Sequence, residues 1–332
     1  MQRITTIDVH VAGEPLRVIT GGFPALEGKT ILEKRRYARD TLDHLRTALM
    51  WEPRGHPDMY GCLLVEPTIP DADLGVLFMH NEGLSTMCGH GIIGLTTVVL
   101  EHGILPFREP ETIVRWETPS GLVTARASLK DKRVRSVAFL NVPSFVAALD
   151  QTVDVPGLGS VGYDLAFGGA FYAFCRAEDV GVELNVGSAR QVRELGMAIK
   201  EAVANQRTIE HPREQDLGYV YGTIFVGPAA SKDADCRHVC IFAEGALDRS
   251  PTGTGVSAHL AIQHARKQVQ PGQAFTVESI LGTRFIGRVK EVVQYEGVSA
   301  VIPEVEGSAY LTGKHEFLID PDDPLKAGFL IG

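Results

Sequence analysis

The chain opens on alternating apolar and polar positions, Ile4-Thr5-Thr6-Ile7-Asp8-Val9-His10, and returns to a short apolar run at Gly61-Cys62-Leu63-Leu64-Val65. Gly and Pro punctuation around these runs marks them as strands. Between them, Ile31, Leu32, Tyr37, Leu42, Leu45 and Leu49 stand at helical spacing among many charges, which predicts an amphipathic helix from Ile31 to Met50. Residues 89–102 are apolar nearly all round, the pattern of a buried helix, here one wrapped by the surrounding sheet. The second half repeats the plan. Strand patterns fall near 164–176, an amphipathic helix near 188–205, strands near 219–226 and 237–242, and an apolar helix starts near Gly253.

Smaller features repeat as well. Glu117-Thr118-Pro119-Ser120-Gly121 follows the first buried helix as Glu278-Ser279-Ile280-Leu281-Gly282 follows the second, and alternating strands then run to Pro143 and Pro303. Two domain-sized copies make an internal duplication and not a solenoid. The expectation is an α/β protein with a first domain over 1–120, a second over 121–302, and last strands, 303–332, that return to the first.

A length of 332 residues agrees with two cores. With 44% hydrophobic and 22% charged residues the composition is that of a soluble globular protein, and no stretch has the length and purity of a membrane span. A net charge of −9 speaks against nucleic acid or an anionic membrane as partner and leaves a small molecule. Strand patterning begins at once, in Met1-Gln2-Arg3-Ile4-Thr5, so the expected location is cytoplasmic. The cysteines, Cys62, Cys88, Cys175, Cys236 and Cys240, are odd in number and irregular in spacing, as reduced thiols are. Cys236 and Cys240 have no second pair at zinc-type spacing and read as strand residues, with no metal site.

The two buried helices begin alike. Met87-Cys88-Gly89-His90-Gly91 and Pro251-Thr252-Gly253-Thr254-Gly255 each set a small nucleophilic side chain before glycines and an apolar helix. At the first turn of a helix the thiolate of Cys88 is favoured by the macrodipole and by backbone N–H groups, which suits a base. The N–H groups of Gly89, His90, Gly253 and Thr254 are expected to bind a carboxylate as helix N-termini bind phosphate, with Gly91 and Gly255 easing close approach. Preorganised dipoles of this kind make a carbon beside the carboxylate acidic without a cofactor. Asp248, four residues before Thr252, suits the ammonium or ring N–H of the same ligand, which points to a small α-amino acid.

Each residue also has a plainer role. Cys88 fits as a small core residue, His90 as a structural histidine, and Asp248 and Thr252 as helix caps. Gly89-His90-Gly91-Ile92-Ile93-Gly94 matches the dinucleotide fingerprint G-x-G-x-x-G, but Pro106, Pro110 and antiparallel patterns follow it where a βαβ unit would stand.

Taken together, Met87–Gly91 and Asp248-Arg249-Ser250-Pro251-Thr252-Gly253-Thr254-Gly255 resemble the proline racemase superfamily over essentially the whole chain. Ile7–Pro15, Pro53-Arg54-Gly55-His56, Met59-Tyr60-Gly61, Asn141–Phe145 and Gly168-Gly169-Ala170-Phe171-Tyr172 look like its signatures too. The resemblance implies two α/β domains of the diaminopimelate epimerase type, each a mainly antiparallel sheet around a central helix. It further implies an active site in the cleft, no cofactor, and a homodimer. It carries over Cys88 as proton-abstracting base, Gly89, His90, Gly253 and Thr254 as carboxylate binders, and Asp248 as the contact to the ring nitrogen.

Racemases and hydroxyproline epimerases of the family have a second cysteine where this chain has Thr252, whereas the trans-3-hydroxy-L-proline dehydratases have threonine. His80-Asn81-Glu82-Gly83 and Ser85-Thr86-Met87-Cys88 also resemble the dehydratase branch. A threonine hydroxyl has no accessible deprotonated form near neutral pH, so inversion lacks its second acid. A substrate with a 3-hydroxyl offers the carbanion another exit, loss of water. The expected activity is dehydration of trans-3-hydroxy-L-proline to Δ1-pyrroline-2-carboxylate, with Cys88 and Thr252 as the catalytic pair. The alternatives are a proline racemase or 4-hydroxyproline 2-epimerase, and a non-catalytic amino-acid binding protein.

Overall fold

The structure, a computed structural model, describes residues Met1–Ile331 and divides into two compact units. The first comprises Met1–Phe139 and the chain from Ser308 onward; the second is Leu140–Gly307.

The first unit begins with β1 (Gln2–Val11) and β2 (Glu14–Gly21), then helices α1 (Ile31–Thr41) and α2 (Asp43–Met50). It continues through β3 (Tyr60–Val65), β4 (Leu74–His80), the short β5 (Leu84–Ser85), α3 (Gly89–Glu101), β6 (Glu111–Thr118), β7 (Gly121–Lys130) and β8 (Arg133–Leu140). The second unit runs β9 (Ser144–Val155), β10 (Gly159–Phe167), β11 (Phe171–Arg176), α4 (Ala189–Gln206), β12 (Val220–Gly227), β13 (Cys236–Phe242) and the short β14 (Ala246–Leu247). It ends with α5 (Gly253–Ala265), β15 (Phe275–Glu278), β16 (Arg284–Tyr295) and β17 (Val298–Gly307), after which β18 (Ala309–Ile319) rejoins the first unit.

Strand pairing shows the duplication directly. In the first unit β18, β1 and β2 pair antiparallel in turn, β2–β3 is parallel, β3–β4 antiparallel, β4–β6 parallel and β6–β7 antiparallel. In the second, β9, β10 and β11 pair antiparallel, β11–β12 is parallel, β12–β13 antiparallel, β13–β15 parallel and β15–β16 antiparallel. The senses match pair for pair, with β18 where the second unit has β9. There the ring closes, because β16 pairs with β17 and β17 with β9.

The central helices follow from their composition. Gly89–Leu100 of α3 and Gly253–Ile262 of α5 are buried throughout, as a helix without a polar face must be. The predicted helix over 31–50 is two helices, broken at Leu42, whose backbone leaves the helical region (φ −117°, ψ 12°). The break turns Leu42, Leu45 and Leu49 into one cluster with Ile4, Ile19 and Ile319, and so ties the C-terminal strand to β1. The first unit does not end near 120. Gly121, at φ 128°, follows the Pro119–Ser120 turn of a hairpin whose second strand, β7, pairs with β6 from Glu111–Ser128 to Thr118–Gly121.

Gly168, between β10 and β11, has a packing role. A Cβ there would lie 2.2 Å from the Thr254 carbonyl oxygen and 2.5 Å from the Ala258 nitrogen, both backbone atoms of α5. Gly168→Ala is therefore expected to push α5 outward and destabilise the protein by about 1–3 kcal/mol. A urea midpoint unchanged from wild type would refute this.

His211 gives the fold an acid-sensitive point. Its ring packs against Phe145 and Phe167, and Nδ1 accepts the backbone N–H of Glu214 at 3.0 Å. Burial, with Arg213 nearby, pushes its pKa down to about 4 from 6.5. The unfolded chain thus binds a proton below pH 6.5 that the folded chain refuses until about pH 4. The stabilisation is whole above pH 6.5, fades between 6.5 and 4, and does not change further below. His211→Asn keeps an acceptor near Nδ1 and should flatten the acid limb of stability against pH by on the order of 2 kcal/mol. Burial pushes down His238 and His259 as well, so the comparison of variant with wild type isolates His211. Equal acid limbs in the two proteins would show that the ring contributes nothing.

No helix among the described residues is long and apolar enough to cross a membrane.

Candidate active site

In the first unit, Cys88 is the N-cap of α3, with extended backbone (φ −143°, ψ 112°). Its sulfur accepts the Gly91 N–H at 3.2 Å and lies 3.1 Å from His90 Nδ1. His90 Nε2 is 3.3 Å from the Pro15 carbonyl oxygen, and the ring meets Tyr60 edge-on at 4.9 Å. A carbonyl only accepts, so Nε2 carries the proton that faces Pro15, and Nδ1 of a neutral ring is left to accept from the thiol. Proton transfer along that contact gives a thiolate beside an imidazolium, with a helix N-terminus and an N–H donor also stabilising the sulfur's charge. Cys88 is buried, and so is His90.

Other thiols sit in the opposite setting. Burial pushes Cys62 up, further raised by the Asp8 charge, and pushes Cys175 and Cys236 up to about 12, with nearby aspartates adding to the effect. These are held as neutral thiols.

In the second unit, Thr252 occupies the matching position before α5, but its backbone is different: φ 64°, ψ 92°. Positive φ in a β-branched residue is strained, by on the order of 1–3 kcal/mol, and such strain concentrates at functional sites. Its hydroxyl does not cap the helix; it donates to Asp248 Oδ2 at 2.8 Å. Asp248 Oδ1 accepts the Ser250 N–H at 2.8 Å, and Ser250 Oγ accepts the Thr252 N–H at 3.1 Å. The segment 248–252 is thus a closed loop of short-range hydrogen bonds that holds Thr252 in its strained conformation. Thr254 shares a 2.6 Å hydrogen bond with Tyr172, whose phenol burial keeps protonated.

Of the residues singled out from the sequence, Cys88, Gly89 and His90 come together in the first unit, and Asp248, Thr252, Gly253 and Thr254 in the second. The N–H groups of Gly89, His90, Gly253 and Thr254 lie in first helical turns, outside the i→i−4 ladder. Gly91 and Gly255 differ from expectation. A Cβ on Gly91 would meet Phe78 at 2.4 Å, and one on Gly255 would meet Ile224 at 2.4 Å, so both glycines serve the packing of helix on sheet. His90, valued from sequence for its backbone, also brings its ring to the sulfur. Tyr172 and Ser250 were not foreseen; Tyr172 lies in the Gly168–Tyr172 run, whereas Ser250 carries no signal apart from its loop.

A family model described as proline racemase matches residues 6–330. The chain is 45% identical to trans-3-hydroxy-L-proline dehydratase of Bacillus cereus over 99% of this chain and 98% of that one. It is 41% identical to proline racemase of Clostridioides difficile with the same coverage. A crystal structure of a hydroxyproline epimerase from Agrobacterium vitis with bound trans-4-hydroxy-L-proline superposes with a TM-score of 0.94 at 34% identity, covering 100% of this chain and 97% of that one.

Proposed function

Because the chain belongs to the proline racemase family, we propose that it is a hydro-lyase that removes water from trans-3-hydroxy-L-proline to give Δ1-pyrroline-2-carboxylate. The names of relatives at about 45% identity support this substrate. The observation that carries the choice over inversion is the inequality of the two half-sites. Cys88 has a proton-exchanging partner in His90, whereas the Thr252 hydroxyl is tied up as hydrogen-bond donor to the Asp248 carboxylate.

In this reading both half-sites hold one imino acid in a cleft of the diaminopimelate epimerase type. The N–H groups of Gly89, His90, Gly253 and Thr254 take the substrate carboxylate and absorb the charge that develops on it. Asp248 pairs with the ring nitrogen, which its bond from Thr252 helps to aim. The Cys88 thiolate removes the Cα proton, the C3–O bond breaks, and the hydroxyl leaves as water with a proton from the Cys88–His90 couple. In trans-3-hydroxy-L-proline the Cα hydrogen and the 3-hydroxyl share a ring face, so one couple serves both steps in a syn elimination. The enamine then gains a proton at C3 and gives up its N–H proton to solvent, which leaves the cyclic imine.

Incubation with trans-3-hydroxy-L-proline, L-proline and trans-4-hydroxy-L-proline in D2O tests the assignment. The expected result is a ketimine, trapped with an aminobenzaldehyde, from the first substrate alone. Deuterated substrate with altered optical rotation and no ketimine would make the protein an epimerase or racemase instead.

A further inference from the structure

We propose that Cys236, His238 and His259 form a binding site for a zinc-class divalent ion within the second unit, separate from the acid–base groups above. Cys236 and His238 are two residues apart on β13, so both side chains leave the strand on one face. His259 reaches them from the second turn of α5. The sulfur and one nitrogen of each ring lie within 4.8 Å of one another, and all three residues are buried. One thiolate with two imidazoles is a set that zinc, cobalt and copper favour and that calcium and magnesium do not.

The surroundings of the rings point the same way. His259 Nε2, the nitrogen turned away from the cluster, lies 2.8 Å from the Gln263 side-chain amide nitrogen one helical turn on, and turning that amide over by 180° puts its oxygen there to accept the Nε2 proton. His238 Nδ1 is buried and turned toward the Pro251 carbonyl without completing a hydrogen bond of ordinary geometry. Metal-binding histidines are oriented in this manner, the far nitrogen held by an amide or carbonyl oxygen while the near one takes the ion. Packing fixes the rings further, since His259 stacks on Phe174 at 5.4 Å and meets Phe275 edge-on at 5.3 Å. A cavity of about 400 Å³ is lined by His259, Gln263 and Arg266 among others, and so borders one of the three ligands.

His238 Nε2 and His259 Nδ1 are 2.8 Å apart, hydrogen-bonded to one another. A tetrahedral ion would open that distance by about half an ångström. On binding, the Cys236 thiol releases its proton to solvent, each imidazole donates a nitrogen lone pair with its remaining proton on the far nitrogen, and no electron is transferred. The ion would clip β13 to α5, the helix that begins directly after Thr252, and so brace the second half-site.

The test uses the full chain stripped with a chelator and titrated with Co²⁺, then with Zn²⁺ in competition. The expected result is sulfur-to-cobalt charge-transfer absorption that Zn²⁺ abolishes, that Cys88→Ser keeps and Cys236→Ser loses, with at least tenfold weaker binding in His259→Gln. Zn²⁺ should also raise the thermal midpoint of the wild type. Should Cys236→Ser fail to fold, X-ray absorption of zinc-loaded Cys88→Ser decides, with one sulfur and two nitrogen neighbours expected. No charge-transfer band, a band lost with Cys88 instead, or a shell of oxygen alone would overturn the proposal.

Discussion

Cys88→Ser is expected to lower ketimine formation from trans-3-hydroxy-L-proline by on the order of 10³-fold while leaving the fold intact. The loss follows from the side chain's task. A serine hydroxyl is far less acidic than a thiol placed at a helix N-terminus beside His90, so the Cα proton is expected to lose its acceptor. Stability should not fall with activity, because serine is a good N-cap and its oxygen replaces the sulfur as acceptor of the Gly91 N–H. The thermal midpoint is then equal to or slightly above that of wild type. Rate and midpoint measured on the same sample separate chemistry from folding. A variant that keeps even a tenth of the activity would show that Cys88 is not the base.

Thr252→Cys is expected to open the route that the natural chain lacks. With a thiol on the second side, proline or 4-hydroxyproline should exchange the Cα hydrogen for deuterium and change configuration, at a rate on the order of 10²-fold above wild type. Asp248 favours this outcome. Its carboxylate accepts from the side chain at 252, and a thiol beside a negative charge is held protonated, the state an acid must be in. Cys88 would remove the proton from one face and the new thiol would return one to the other. The backbone supports the substitution, since cysteine lacks the β-branch that makes φ 64° costly for threonine. Thr252→Gly is the control: it relieves the same strain and adds no acid, while giving up the bond to Asp248. A folded Thr252→Cys protein without deuterium exchange would refute the role given to this position.

The two half-sites were legible in the chain to unequal depth. Cys88, Gly89 and His90, and Asp248 with Thr252, stand out because glycine punctuation before an apolar run is a local signal. What each side chain touches is not local. Gly91 and Gly255 looked like openings for a ligand, but Phe78 and Ile224 come from distant strands to fill those spaces. The His90 ring finds the sulfur only because Pro15, remote in sequence, holds its other nitrogen. Chain order sets Cys236 beside Cys240 on the strand, whereas the fold brings it within 4.8 Å of ring nitrogens of His238 and His259, the latter from a different element.

From sequence alone came the duplication, the two buried helices and the residue types at each helix start, because periodicity and turn chemistry act over a few residues; the mainly antiparallel sheets came only as what the family resemblance implies. Tertiary structure alone decided that the first unit continues through β7, that α1 and α2 part at Leu42, and that Thr252 is held at positive φ with its hydroxyl donating to Asp248. Those outcomes depend on pairing and packing between segments far apart in the chain, where the free energy of a contact is set by a partner that no local pattern names.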